Sequence, residues 1–200
     1  MRYISSILIA LGLILLFIGG YQFFHTKHQI SQSFSDVKQS LEQPTEENHL
    51  DSGNYDGSTF NPKLDHPVGI LKIPKLKRNL PIIEGTEQKE LAKGVGHYTT
   101  TGFPGQGKPI LLAGHRDTVF RDFGKLKKGD MFILNLPYGK YKYQMRNAKI
   151  VDSNNTKVVR DALRGTKEKL LISTCYPFGY IGHAPKRYVI YAYAVDRKNS

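Results

Sequence analysis

The chain opens on an unbroken apolar run. Residues Tyr3 to Phe24, YISSILIALGLILLFIGGYQFF, carry no charge over 22 positions, and a helix needs about 20 residues to cross the core of a bilayer. Tyr3, Tyr21, Phe23 and Phe24 stand near its two ends, where aromatic side chains favour the interface. A cleaved leader has a shorter apolar core and a small-x-small cleavage site. Gly19-Gly20-Tyr21 fits that poorly, so the pattern predicts an uncleaved anchor, residues 1–24. Arg2 and the terminal amine precede it, which favours a cytoplasmic N-terminus and the remaining chain outside the cell.

Polar positions take over from His25 to His66. Ile30, Phe34, Val37 and Leu41 recur at helical spacing, which predicts a short helix continuing outward from the membrane and ending at Pro44. Asn48 to Asn61 is rich in Asn, Asp, Ser and Gly and reads as a disordered spacer. Residues 25–66 are thus read as an extracellular stalk or linker.

From Pro67 the pattern is that of strands. Val68–Ile73 and Leu80–Ile83 are short, β-branched and bounded by prolines and Gly85. Thr86–Ala92 reads as one or two helical turns. Pro109–Ala113, Met131–Leu136, Lys140–Val151, Lys169–Cys175 and Lys186–Val195 are further strands. Many short strands with Gly/Pro turns and almost no long helix predict a mainly β domain over residues 67–200, a closed barrel or a sandwich.

Charge changes the picture of its surroundings. Residues 67–200 hold 25 Lys and Arg against 10 Asp and Glu, a net of +15 in a chain whose total is +12. A basic domain suggests an anionic neighbour. For an exported domain on a membrane anchor, wall polymers or lipid head groups fit better than nucleic acid, and a merely solvated basic face fits equally.

The chemistry centres on Cys175, the one cysteine of the chain. It closes KLLISTC, an apolar strand that Pro177 and Gly179 must terminate. A strand end is a rigid mount for an accessible group. Outside the cell a pair of cysteines would form a disulfide, so a lone one suggests intermolecular pairing or a working thiol. A buried structural cysteine is the bland alternative. A working thiol needs a base or a cation nearby. His115 emerges at the end of the strand in LLAGHRD and is the first candidate. His183, in the loop after Cys175, is its competitor, and His97 in GVGHY is read as structural. His25, His28, His49 and His66 lie in the flank and stalk. Asp117 could orient an imidazole but reads as a solvated turn residue. Arg187 opens the last strand, and in a hairpin with Lys169–Thr174 it should come near Cys175. There it could stabilise an oxyanion or hold a substrate backbone.

These segments together resemble the sortases, membrane-anchored cysteine transpeptidases of Gram-positive bacteria, whose signature is TLxTC with an Arg at the start of the next strand and a distant His. Thr174 and Cys175 of LISTC match, with Leu171 and Ile172 in place of Thr and Leu. GVGHY at Gly94–Tyr98, LAGHRDT at Leu112–Thr118 and Gly129-Asp130 extend the match. The chain looks most like class D, found in Bacillus and relatives. The resemblance implies a closed sortase-type barrel of about eight strands with short helices. It implies Cys175 as nucleophile and acyl carrier, His115 as proton donor and acceptor, and Arg187 as substrate or oxyanion stabiliser. The loops 152–168 and 176–186 would form the groove for the signal. The implied reaction cleaves an LPxTG-like signal of a surface protein after Thr and transfers it to an amine of a peptidoglycan precursor, at the membrane and without cofactor, metal or nucleic acid. The alternatives are a cell-surface cysteine endopeptidase and a non-catalytic wall-binding module.

Overall fold

The computed structural model describes residues 2–42, 57–179 and 182–195. A single helix, α1 (Arg2–Glu42), carries the apolar run and the helical pattern beyond it without a break. It stops two residues before Pro44, as the restriction on a residue preceding proline requires. Within it, Ser6–Gln39 is long and apolar enough to cross a membrane, and none of its most apolar stretch is packed against the rest of the chain. Its outer half behaves differently. Val37 is 2% exposed, Ser33 is buried and Ile30 packs against the core.

Eight strands close into one barrel: β1 (Pro67–Ile73), β2 (Arg78–Glu84), β3 (Val95–His97), β4 (Ile110–Gly114), β5 (Met131–Leu136), β6 (Gly139–Asp152), β7 (Leu170–Tyr176) and β8 (Lys186–Ala194). The order around the barrel is β1-β2-β3-β4-β7-β8-β6-β5. β2/β3 and β4/β7 are parallel pairs, and the other pairs are antiparallel. Closure leaves no open sheet edge. β5 shows why the sequence folds this way. Its side chains alternate, with Phe132, Leu134 and Leu136 inward, the period of two that a half-buried strand needs. Phe120, Phe123, Phe132, Leu71, Leu112, Leu170 and Ile190 fill the interior. Each fully buried side chain of this kind stabilises by about 1.5–3 kcal/mol.

β4 and β7 are buried on both faces. Outside the barrel Leu111 and Leu171 pack with Tyr98, Val159 and Tyr191, and Val159 belongs to α3 (Lys157–Leu163). Tyr143 is fully buried and donates its hydroxyl to Glu168 at 2.6 Å, while Glu168 also accepts from the Gly105 amide at 2.9 Å. Burial, and then that bond to Glu168, pushes the Tyr143 phenol far above its ordinary value, so it remains a donor.

Two sequence expectations differ from the structure, and one strand was not expected at all. Val95–His97 of GVGHY, read only as the setting of a structural His97, forms β3. At Gly96 an added Cβ would lie 2.4 Å from the Gly85 carbonyl oxygen, so glycine there serves a close backbone approach. The segment 152–168 contains α3, which covers β4 and β7. The spacer expected over Asn48–Asn61 is docked from Gly57 onward: Gln106 Nε2 donates to the Gly57 and Phe60 carbonyls, both at 2.9 Å. Phe60 also lies against Phe103 and Tyr138, each at 4.9 Å. Its first part, 48–56, lies outside the described residues. The short helix expected over Thr86–Ala92 forms as α2 (Gln88–Lys93).

Candidate active site

Strand ends from three parts of the chain converge at one rim of the barrel. β4 and β7 run parallel with Gly114 opposite Thr174, so His115, the first residue beyond β4, and Cys175, still in β7, come to the same end of the pair. The Thr174 hydroxyl, buried at 3% exposure, donates to the Gly114 carbonyl at 2.8 Å and ties the two ends together. β7 and β8 are antiparallel with Cys175 opposite Arg187. Arg187 Nη1 donates to Cys175 Sγ at 3.4 Å and also reaches the Ala184 and Lys186 carbonyls at 3.5 and 3.4 Å.

His115 is exposed on a turn that is itself well anchored. The Phe120 amide donates to the His115 carbonyl at 3.0 Å, and the Phe120 ring is fully buried. A side chain at Gly114 would meet Phe120 and Val119 at 2.7 Å, so the turn folds back over the end of β4 because residue 114 is glycine. Arg78 Nη1 holds the far side through the Thr118 carbonyl at 2.9 Å. A proton carrier mounted on such a turn is exposed yet placed.

The cleft between these ends has a volume of about 230 Å³ and is lined by His115, Arg116, Asp117, Cys175, Gly182, His183, Ala184 and Arg187. It brings together the three residues singled out from the sequence. The competing His183 lines it too. His97 does not: it is fully buried, with Nδ1 2.7 Å from Glu84 Oε2, Nε2 3.0 Å from the Gly102 carbonyl and its ring stacked on Phe103 at 3.9 Å. Asp117 is largely exposed and lies 3.5 Å from Arg116 Nε. Near Cys175 and Arg187 in sequence, Tyr176, Phe178 and Tyr188 pack on one another at 5.2–6.4 Å, with Phe178 and Tyr188 against the barrel core. Burial, then the neighbouring Tyr176, holds the Tyr188 phenol above its usual value. The Arg187 guanidinium beside the half-buried thiol can stabilise an incoming carbonyl that becomes an oxyanion.

The sequence reading passed over two residues of this rim. Thr174 entered only as half of a motif, although its hydroxyl fastens β7 to β4. Arg116 was unmarked, and its contacts are made across 61 and 66 residues of sequence, beyond any local pattern.

Comparison with known proteins decides what this arrangement belongs to. The family profile described as Sortase domain matches residues 71–195. The chain is 41% identical over 194 residues to Sortase D of Bacillus subtilis (strain 168), covering 95% of this chain and 96% of that protein. The chain belongs to the sortase family. Among solved structures, the sortase catalytic domain SrtD of B. anthracis is 35% identical, with a TM-score of 0.56 over 74% of this chain and 97% of that one. The Clostridium perfringens Sortase D5 transpeptidase, at 21% identity, shares the fold with a TM-score of 0.66 over 84% of this chain and 99% of that one. As a sortase, the protein is most like class D, and its family is one of transpeptidases.

Proposed function

We propose that this sortase is a membrane-anchored cysteine transpeptidase acting through Cys175, His115 and Arg187. The observation that carries the proposal is the cleft in which the Cys175 thiol lies 3.4 Å from the Arg187 guanidinium and which His115 also lines. The Cys175 thiolate attacks the carbonyl carbon after Thr in an LPxTG-like signal. Arg187 stabilises the oxyanion, whose collapse breaks the peptide bond. His115, as imidazolium, gives its proton to the departing amine, leaving a thioester on Cys175. An amine of a cell-wall precursor then attacks the thioester, His115 takes its proton, and the thiolate is released. Residues in the segments 152–168 and 176–186 line the path of the signal.

The same proposal places residues 1–24 in the membrane with the N-terminus cytoplasmic, residues 25–66 as the extracellular stalk and residues 67–200 as the catalytic domain outside the cell. The apolar stretch of α1 that none of the described residues covers supports the anchor. The +15 charge of residues 67–200 suits an anionic cell surface.

The test is ligation. The full-length chain in detergent, given a panel of LPxTG-like peptides and amine acceptors, is expected to release the C-terminal fragment and form an amide with the acceptor. Cys175→Ala is expected to do neither while keeping its fold. Product that goes to water regardless of added amine would make the protein an endopeptidase. A Cys175 that labels no faster in native than in denatured protein, with no turnover of any peptide, would make it a binding module.

A further inference from the structure

Arg116 is 7% exposed in a chain whose other basic residues are mostly solvated. A buried guanidinium persists only when its donors are satisfied. Here Nη1 donates to the Pro177 carbonyl at 3.3 Å and Nη2 to the Gly182 carbonyl at 3.0 Å, while Nε is ion-paired with Asp117 at 3.5 Å rather than hydrogen-bonded. Pro177 directly follows β7, two residues after Cys175. Gly182 stands at the other end of the connection, just before His183, Ala184 and β8. Gly182 has φ +103°, a conformation that favours glycine. One planar fork therefore spans the two ends of the β7–β8 connection from the residue next to His115.

We propose that Arg116 is a positioning residue for the sorting signal: by bridging the Pro177 and Gly182 carbonyls it sets the wall of the cleft against which the peptide lies beside Cys175. This rests on the transpeptidase reading above. The bridge is not needed to keep the thiol and Arg187 together. The strand ladder does that through Thr174 opposite Tyr188, Cys175 opposite Arg187 and Tyr176 opposite Lys186. Loss of the bridge would thus shift Gly182, His183 and Ala184, which line the cleft, and leave the thiol where it is. An ammonium cannot take the place of the guanidinium, because it is a point donor and lacks the fixed fork.

Three readouts on the full-length chain in detergent test this for wild type, Arg116→Lys and Gly182→Ala. They are kcat and KM for LPxTG-like peptides, the rate of Cys175 alkylation by iodoacetamide as a function of pH, and the urea unfolding midpoint. Gly182→Ala leaves Arg116 intact. An added Cβ there meets nothing within 4 Å, so the strain at φ +103° should turn the carbonyl away without a clash. Both variants are expected to lose about 10–10²-fold in kcat/KM, as misplacement by about 1 Å can, mainly through KM. Alkylation and its pH profile are expected to stay as in wild type. Should Arg116→Lys fail to fold, Gly182→Ala carries the test alone. Unimpaired kcat/KM in the folded variants would overturn the proposal. So would parallel losses of turnover and alkylation, which would mean that the thiol itself has been displaced. A wild-type chain inert toward every peptide would instead sink the transpeptidase reading.

Discussion

Two of the three Gly-His sequences of the chain, those of His97 and His115, should respond to mutation in opposite ways, and His97→Ala is the informative member. The His97 ring is fully buried, 2.7 Å from Glu84 Oε2 and 3.0 Å from the Gly102 carbonyl, and it stacks on Phe103. The Glu84 side chain is itself only 6% exposed. Truncating the ring leaves a buried carboxylate without its partner, which costs about 3–5 kcal/mol. The abandoned Gly102 carbonyl and the cavity beside Phe103 add to that. Against a total stability of roughly 5–15 kcal/mol for a domain, the variant should be folded only marginally. At roughly 2–4 °C per kcal/mol for a chain of this size, its melting midpoint should fall by about 6–20 °C. Thermal and urea melts of the purified chain read this directly. Peptide turnover by the still-folded fraction, measured well below the new midpoint, should match wild type per folded molecule. A variant with an unchanged midpoint and no turnover would refute the reasoning and move His97 into the chemistry.

His115→Ala is expected to show the reverse, an unchanged melt with a loss of turnover of about 10²–10⁴-fold. His183→Ala is expected to lose far less, and an inactive His183→Ala beside an active His115→Ala would exchange their roles. Arg187→Lys should fold and label at Cys175 yet acylate about 10²–10³-fold more slowly, because one ammonium cannot serve the oxyanion and the Ala184 and Lys186 carbonyls together. Near-wild-type acylation by that variant would reduce Arg187 to a background charge. In intact protoplasts, added protease is expected to shave off residues 67–200, and protection of that domain would contradict the proposed topology.

What was legible in the sequence follows from how local each cause is. Met131–Leu136 forms at its expected residues because strict alternation needs only its own side chains. The opposition of Cys175 and Arg187 was also readable, since a hairpin brings the residues just before its loop to face those just after it. β3 was missed because three residues carry no period. Its Gly96 answers the Gly85 carbonyl just beyond β2, not its own segment. α3 was missed because its reason to be helical is the apolar outer surface of β4 and β7 that Val159 helps to cover. The docking of Phe60 was hidden for the same reason: an aromatic among polar residues reads as spacer until Phe103 and Tyr138 lie beneath it.

The chemistry of the rim has a corresponding hierarchy. Cys175, His115 and Arg187 could be picked out one by one, because each stands at the end of an apolar strand. What ties down the His115 turn is a set of side-chain links, Thr174 of β7 to the Gly114 carbonyl and Arg78 of β2 to the Thr118 carbonyl, while Arg116 fastens the β7–β8 connection through the Pro177 and Gly182 carbonyls. Each of these uses a side chain to satisfy a backbone carbonyl at or just beyond the end of a strand. A parallel β4/β7 pair makes such links necessary. No tight turn joins parallel strands, so the spacing between His115 and Cys175 cannot be set by a hairpin as that between Cys175 and Arg187 is. The barrel therefore fixes the thiol against the guanidinium through its ladder, and the imidazole against the thiol through side chains. On this account the thiol–imidazole spacing is the more easily disturbed of the two. Thr174→Val, which keeps the shape and removes the bond to Gly114, should accordingly impair the steps that need proton transfer more than it slows alkylation of Cys175.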